Sequence, residues 1–251
     1  MSKNVTVVLI GNNKLNGEAL KKTLSVVDCE EVITFTTDKL DPNAIHIPVA
    51  ANFSKEDYNF FVMKNLWPFI KTSHVLIVQW DGMAVNREFW TDDFLEFDYV
   101  GSPWPGDDFW VRPEERVGNG GFSLRSKRLL EALRDPNIRT FPGSYRTESE
   151  DAVICQLFNR YLTDTHGIKF APLEAAYQFG QEFCFERNGH TFGFHGVWNT
   201  PLYLSEDETL YYLQQVDPYY WSDQRAQLFW NNCVQRNYNK VVDFIRENLV
   251  K

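Results

Sequence analysis

The sequence predicts an α/β fold with a parallel sheet and a C-terminal helical tail. Apolar, β-branched runs recur through the first eighty residues, and stretches of helical periodicity lie between them. Beyond about residue 200 only helical periodicity remains. Alternation of strands and helices favours parallel strands joined by right-handed crossovers. Sheets of this kind bind nucleotides at the carboxyl ends of their strands.

The first eighty residues supply four predicted strands and two predicted helices. Val5–Ile10 is a β-branched run that ends in glycine and asparagine, which is typical of a buried strand and a turn. Residues 16–27 carry apolar side chains at helical spacing. Ser54 is a suitable N-cap for a helix whose apolar positions continue to Phe69. The other predicted strands cover 32–36, 45–49 and 74–79.

The remaining chain predicts loops, short strands and more helices. Residues 97–117 are rich in Pro, Gly, Trp and Asp and indicate a long loop, and 135–148 indicate another. Short strands are expected over 122–125, 183–185 and 191–195, and helices near 126–134, over 151–162 and, as two or three amphipathic segments, over 205–251. We therefore expect one domain over residues 1–200 and a helical extension over 201–251 packed on it.

Composition and charge exclude several classes of protein. The formal net charge is −9, and no basic surface of the kind that nucleic acid requires is visible in the sequence. The four cysteines form no CxxC pair or zinc spacing, so reduced thiols in a reducing cytosol are expected. The chain has no run of about 18 apolar residues, so no transmembrane helix is expected and a cytoplasmic location is predicted.

The fourth predicted strand ends in Gln79, Trp80, Asp81 and Gly82. A carboxylate that follows an apolar parallel strand lies where such sheets bind ligands. Asp81 is therefore a candidate ligand for Mg²⁺ or Mn²⁺, which prefer oxygen donors. The alternative is a turn aspartate that hydrogen-bonds its own backbone.

A glycine run and an acidic pair follow later in the chain. Gly118-Asn119-Gly120-Gly121 allows a ligand to approach the backbone closely, or forms a tight turn before the next strand. Glu150 and Asp151 open a predicted helix, where a carboxylate can act as a general base. The alternative is a capping box between Thr147 and Glu150.

His195 is the last candidate, and it lies in the segment Phe-Gly-Phe-His-Gly. An imidazole at the end of a short strand is a candidate metal ligand, although a lone histidine is more often structural. Three tryptophans that either stack on sugar faces or pack in the core are Trp80, Trp104 and Trp198.

These segments, taken in order, resemble one known family. The strings QWDG, GNGGFSLRS and FGFHG, together with EDAVICQLF and APLEAAYQFGQEFCFE, are similar to the DUF5672 family over roughly residues 55–200. The resemblance implies a glycosyltransferase of the Rossmann-like GT-A fold. It extends neither to the first 50 residues, which match only as a general nucleotide-binding start, nor to the helical tail.

The resemblance also assigns roles to the candidate residues. Asp81 corresponds to the last acid of the metal-binding DxD motif of GT-A enzymes, and Gln79 replaces the first. Glu150 and Asp151 correspond to the acidic catalytic motif, and His195 to the C-terminal metal ligand. The residues that this correspondence and the strand-end rule place around the donor are Gly11, Asn12, Gln79, Trp80, Gly120 and Gly121.

The function implied is transfer of a sugar from a nucleoside-diphosphate sugar with Mn²⁺ or Mg²⁺, and a UDP-sugar is the first donor to consider. A saccharide or glycolipid is the expected acceptor, which allows peripheral membrane contact by the tail. Two alternatives stay open: a catalytically silent nucleotide- or sugar-binding protein of the same fold, and a metal-dependent nucleotidyltransferase or phosphodiesterase.

Overall fold

The computed structural model describes residues 4–106, 111–140, 149–184, 187, 189–217, 221 and 223–248. The chain divides into two compact units, Met1–Phe194 and His195–Lys251. Cys29, Cys155, Cys184 and Cys233 are free thiols.

A mixed sheet forms the core of the first unit. In the described part of the chain the strands are β1 (Val5–Ile10), β2 (Glu31–Thr36), β3 (Ile45–Pro48), β4 (His74–Val78), β5 (Gly82–Ala84), β6 (Tyr99–Gly101), β7 (Ser123–Ser126), β8 (Gly180–Gln181) and β9 (Gly193–His195). The larger sheet has the order β3-β2-β1-β4-β7-β6, and a smaller one has the order β5-β9-β8. Every residue of β1 and β4 is buried, as their apolar sequences predict.

The parallel arrangement predicted for the first four strands is confirmed. β1 pairs in parallel with both β2 and β4, and β2 pairs in parallel with β3. β7 runs antiparallel to β4 on one side and to β6 on the other. The sheet therefore reverses its order between β1 and β4, which is the switch point where open α/β sheets bind ligands.

The register places several loops at one edge of the sheet. Leu9 pairs with Val78, so β1 and β4 end side by side. Ser123 pairs with Ile77 of β4, so β7 begins where β4 ends. The segments that follow β1 and β4 and the segment that precedes β7 consequently meet at the carboxyl edge.

The helices of the first unit are shorter than the sequence pattern suggests. They are α1 (Asn16–Val26), α2 (Lys55–Phe60), α3 (Lys127–Ala132), α4 (Glu150–Ala152), α5 (Asn159–His166) and α6 (Leu173–Phe179). Ser54 is the N-cap of α2, as predicted, and forms a capping box with Asp57. Beyond α2 the chain continues as a π-helical turn over Phe61–Asn65 and a 3₁₀ turn over Trp67–Phe69.

Three predicted elements need correction. The helix expected over 151–162 is divided into α4, a π-helical turn over Val153–Leu157 and α5. The strand expected over 183–185 lies earlier, at β8, and residue 185 itself lies outside the described residues. The loop expected over 97–117 begins with β6, because Tyr99, Val100 and Gly101 pair with β7.

The second unit is helical, as predicted for the tail. Its helices are α7 (Thr200–Tyr203), α8 (Glu206–Gln215), α9 (Asp223–Gln235) and α10 (Asn239–Asn248). Within this unit the Tyr238 hydroxyl donates to the Leu204 carbonyl at 2.6 Å, and Lys240 forms an ion pair with Asp207. Trp198 is buried beneath the Arg225 guanidinium. Among the described residues of the chain, no helix has the length and apolar character needed to cross a bilayer.

Candidate active site

The switch point begins with Gly11 and Asn12, directly after β1. Gly11 has a φ of +112°, a conformation that favours glycine, and its N–H donates to the Phe35 carbonyl at 2.9 Å. The Asn12 side chain accepts from the Thr37 N–H and donates to the Ala50 carbonyl, both at 2.8 Å. Asn12 therefore connects the chain segments that follow β1, β2 and β3.

Asp81 lies in a tight turn between β4 and β5. The N–H of Gln79 donates to the Gly82 carbonyl at 2.9 Å, and the N–H of Gly82 donates back at 3.0 Å. Trp80 and Asp81 form the tip of this turn. The Asp81 residue is only 7% exposed, whereas Trp80 is half-buried. The sequence prediction that a carboxylate follows the central strand is thus confirmed.

The glycine run lies so close to its neighbours that a side chain would not fit at Gly118 or Gly120. A Cβ on Gly118 would overlap the Trp104 ring, which is itself buried. A Cβ on Gly101 of β6 would overlap the Gly118 carbonyl oxygen, and a Cβ on Gly120 would meet the Glu150 carboxylate and the Arg125 guanidinium. The loop is held between β6 and the start of α4, which explains its composition.

Glu150 and Asp151 start α4 beside this loop. Arg125 of β7 is completely buried, and its Nη2 lies 2.5 Å from Glu150 Oε1. Glu150 Oε2 accepts the Asp151 N–H at 2.5 Å. The Asp151 carboxylate accepts the N–H of Gly120 at 2.8 Å and that of Ala152 at 2.7 Å. Two adjacent carboxylates therefore have different environments.

The predicted capping box between Thr147 and Glu150 is wrong. Ser149 is the N-cap of α4, so Glu150 is the first helical residue and not the third. Its carboxylate is taken up by Arg125, a partner that lies 25 positions away in sequence. Thr147 itself lies outside the described residues.

The surroundings of Asp151 raise the pKa of its carboxyl group. Desolvation and the neighbouring Glu150 charge raise the pKa of Asp151 to about 6, against the lowering effect of two backbone N–H groups and Arg125. Burial and the Glu150 charge also raise the pKa of Tyr58, so that this phenol stays neutral. A carboxyl group that titrates near neutrality is suited to accept a proton.

The candidate residues of the first unit gather at the carboxyl edge of the sheet. Gly11 and Gln79 follow adjacent parallel strands, and Gly121 leads into β7 at the same edge. Tyr58 lies close enough to Gln79 and to Glu150 for both to influence the pKa of its hydroxyl. The strand ends and the acidic pair therefore lie at the same edge of the sheet.

His195 is the last residue of β9 and the first residue of the second unit. It is half-buried, and its carbonyl accepts a hydrogen bond from the Asn199 side chain at 2.8 Å. Across the residues that the structure describes, no group of three or more His, Cys, Asp or Glu side chains could hold a metal alone. Joint binding of one ion by Asp81 and His195 stays a prediction.

Sequence reasoning missed three residues of this site. Arg125 carries the ion pair, Tyr58 lies near enough to Glu150 and Gln79 for both to influence the pKa of its hydroxyl, and the Asn59 side chain accepts the Glu150 N–H at 3.3 Å. Arginine is rarely fully buried, so the sequence did not mark Arg125 as a core residue. Arg125 lies in a run of ten consecutive buried residues, 117–126, and this burial is visible only in the structure.

Comparison with known proteins gives one family and a distant structural likeness. The model of a family described as "Protein of unknown function (DUF5672)" matches residues 43–195. No curated protein matches the sequence. Among solved structures, the chain is similar to the mannosyltransferase PcManGT from Pyrobaculum calidifontis, determined in complex with GDP-Man and Mn²⁺, with 15% identity and a TM-score of 0.42. The match covers 68% of this chain and 55% of that one, so the chain spans about half the length of that structure.

Proposed function

The chain belongs to the DUF5672 family, and from this premise we propose that it is a metal-dependent glycosyltransferase that uses a nucleoside-diphosphate sugar. The observation that carries the proposal is the meeting of the switch point, the Asp81 turn and Asp151 at one edge of the sheet. A donor nucleotide, a divalent ion and a proton acceptor are what this transfer requires, and each has a candidate there.

The donor would lie across the ends of β1 and β4. Gly11 and Asn12 leave β1 on one side of the switch point, and Gln79 and Trp80 leave β4 on the other. The half-buried Trp80 ring offers an apolar face to a base or a sugar. Gly120 and Gly121 would line the pocket from the β7 side. We take a UDP-sugar as the first donor to test.

The residues present suit an ion that arrives with the donor. Mg²⁺ and Mn²⁺ bound with substrate phosphates need only one or two protein side chains, and the remaining ligands are phosphate oxygens and water. Asp81, at the carboxyl edge, offers a carboxylate for this mode, and His195 is the second proposed ligand. The ion would stabilise the negative charge that develops on the diphosphate leaving group.

Asp151 is the proposed general base. The acceptor hydroxyl oxygen attacks the anomeric carbon, the bond from that carbon to the diphosphate oxygen breaks, and the hydroxyl proton moves to the Asp151 carboxylate. This single displacement inverts the anomeric centre. Because the pKa of Asp151 is raised to about 6, the group is ionised at neutral pH yet basic enough to take the proton.

The proposed acceptor is a saccharide or a glycolipid, and the proposed location is the cytoplasm. Two other functions remain to be tested beside this one. A catalytically silent binding protein would bind the nucleotide sugar without turnover. A nucleotidyltransferase or phosphodiesterase would release pyrophosphate or a nucleoside monophosphate instead of a nucleoside diphosphate.

The test is a panel of UDP- and GDP-sugars incubated with saccharide acceptors, with and without Mn²⁺. Metal-dependent release of nucleoside diphosphate is the expected result. Asp151→Asn should then lower kcat at least about a hundredfold with little change in Tm. Asp164→Asn, on the exposed surface of α5, is the matched control. Release of pyrophosphate, or full activity of Asp151→Asn, would contradict the proposal.

A further inference from the structure

We infer that Arg125 and Glu150 form a buried positioning pair that fixes the orientation and balances the charge around the Asp151 carboxylate. The inference deepens the proposed function, because it rests on Asp151 being the proton acceptor. It assigns Arg125 a role, and it separates Glu150 from Asp151: Glu150 orients, and Asp151 reacts.

The hydrogen bonds around these residues form a closed ring. Arg125 Nη2 donates to Glu150 Oε1 at 2.5 Å, and Glu150 Oε2 accepts the N–H of Asp151 at 2.5 Å. Asp151 Oδ2 accepts the N–H of Gly120 at 2.8 Å, and the carbonyl of Gly120 lies 3.4 Å from Arg125 Nη2. Ser123 Oγ also donates to this carbonyl and accepts from Arg125 Nε, both at 3.0 Å. The Asp151 carboxylate cannot rotate without breaking a link of the ring.

Exposure decides which carboxylate can meet a substrate. The side chain of Glu150 is 4% exposed, and both of its oxygens have partners in the ring. Asp151 is half-buried, so part of it reaches the surface. A proton acceptor must contact the acceptor hydroxyl directly. Of the two residues, Asp151 is the more exposed, so we assign it that contact.

Among the residues that the structure describes, the charged side chains that shift the pKa of Asp151 are Glu150 and Arg125. Neighbouring titratable groups in the same described part of the chain include Tyr58 from α2, Tyr99 from β6 and Cys155 from the π-helical turn. Burial raises the pKa of all three, so they stay neutral at working pH. The Glu150 charge therefore raises the pKa of Asp151, and the Arg125 charge lowers it.

This opposition gives a test that simple structural damage would not imitate. Arg125→Gln removes the positive charge and leaves the Glu150 carboxylate without its partner, so it should raise the titration midpoint of Asp151 by about one pH unit or more. Glu150→Gln removes the negative charge and leaves the Arg125 guanidinium without its partner, so it should lower the titration midpoint of Asp151 by a similar amount. The double variant Arg125→Gln/Glu150→Gln should return the midpoint to within about half a unit of the wild-type value.

The midpoint is measured by carbon-13 NMR on protein labelled at the aspartate carboxyl carbons, with Asp151→Asn used to assign the resonance. No donor or acceptor is present, so the result does not depend on the chain's transferase activity. The same shifts should appear in the acidic limb of kcat/KM once a substrate pair is found. Asp151→Asn in each background checks that the shifted resonance is that of Asp151, and Asp164→Asn, which removes an exposed aspartate, should leave it in place.

Two outcomes would overturn the inference: a midpoint that stays unchanged in both single variants, or one that moves in the same direction in both. An unpaired buried charge destabilises a protein strongly, so a single variant that fails to fold is replaced by two other measurements. The wild-type resonance of Asp151 should titrate near pH 6, and Arg125→Lys, which keeps the charge, should hold that midpoint while lowering kcat. A flat Asp151 resonance in the wild-type protein refutes the inference outright. If the midpoints are as expected but the wild-type protein releases no nucleoside diphosphate from any nucleotide sugar, the proposed function is refuted and the inference about the pair is not.

Discussion

Gly120→Ala tests the packing of the glycine loop against the buried ion pair. The backbone of Gly120 is not left-handed, so the cost of a methyl group is steric. The new Cβ would lie 2.8 Å from Arg125 Nη2 and 3.0 Å from Glu150 Cδ, and it would overlap the Glu150 carboxylate oxygen. Both charged side chains are buried, which leaves them little space to move aside.

The size of the effect depends on whether the pair survives. If the pair shifts intact, overpacking costs about 1–3 kcal/mol. If it breaks, a buried charge loses its partner and the cost rises to about 3–5 kcal/mol. We therefore expect Gly120→Ala to lower the free energy of unfolding by about 3 kcal/mol, measured by urea denaturation with the m-value checked against the wild-type protein.

Gly17→Ala is the matched control. Gly17 lies in α1, and a Cβ built there meets no atom within 4 Å. Replacing a helical glycine by alanine should raise stability by about 0.4–1 kcal/mol. In a Glu150→Ala background the further cost of Gly120→Ala should fall below about 1 kcal/mol, because the main obstacle is gone. Equal stabilities of Gly120→Ala and the wild-type protein would refute this account of the loop.

Two further predictions concern stability away from the site. Ser54→Ala removes the capping box that Ser54 forms with Asp57, and it should cost about 1 kcal/mol in urea denaturation, whereas Ser25→Ala should change stability by less than about 0.5 kcal/mol. Hydrogen bonds from the Asn137 N–H and the Tyr161 hydroxyl lower the pKa of Asp135 to about 2. Ionised Asp135 therefore stabilises the folded protein fully above pH 3.8, the pKa of an unperturbed aspartate, and this stabilisation is lost as the pH falls toward 2. Asp135→Asn should therefore reduce Tm at pH 7 but converge with the wild-type Tm near pH 2; a constant difference across that range would contradict this, and Asp164→Asn should show no difference at either pH.

The sheet was predictable where burial leaves a pattern in the sequence. Val5–Ile10 and His74–Val78 are buried along their whole length, and such strands consist of continuous apolar runs. The direction of β7 left no comparable signal. An antiparallel strand of four residues has the same composition as a parallel one, so its insertion between β4 and β6 follows only from the structure.

The acidic pair shows a second reason for the limits of sequence reasoning. The sequence placed Glu150 and Asp151 together at a helix start, which the structure confirms. It offered Thr147 as the partner of Glu150, because capping depends on neighbours in sequence. The actual partner, Arg125, comes from another strand, and long-range pairing of charges cannot be derived from a single chain without its fold.

The central position of β1 bears on how this chain can be shortened. The family match begins at residue 43, after β1 and β2, yet β1 lies between β2 and β4 with all six residues buried. A protein expressed from residue 43 onward would expose the backbone donors and acceptors of β4 along its length and would lose one wall of the switch point. Residues 43–195 therefore match the family model but lack the strand at the centre of the sheet. An expression fragment has to begin ahead of Val5 to keep the sheet complete.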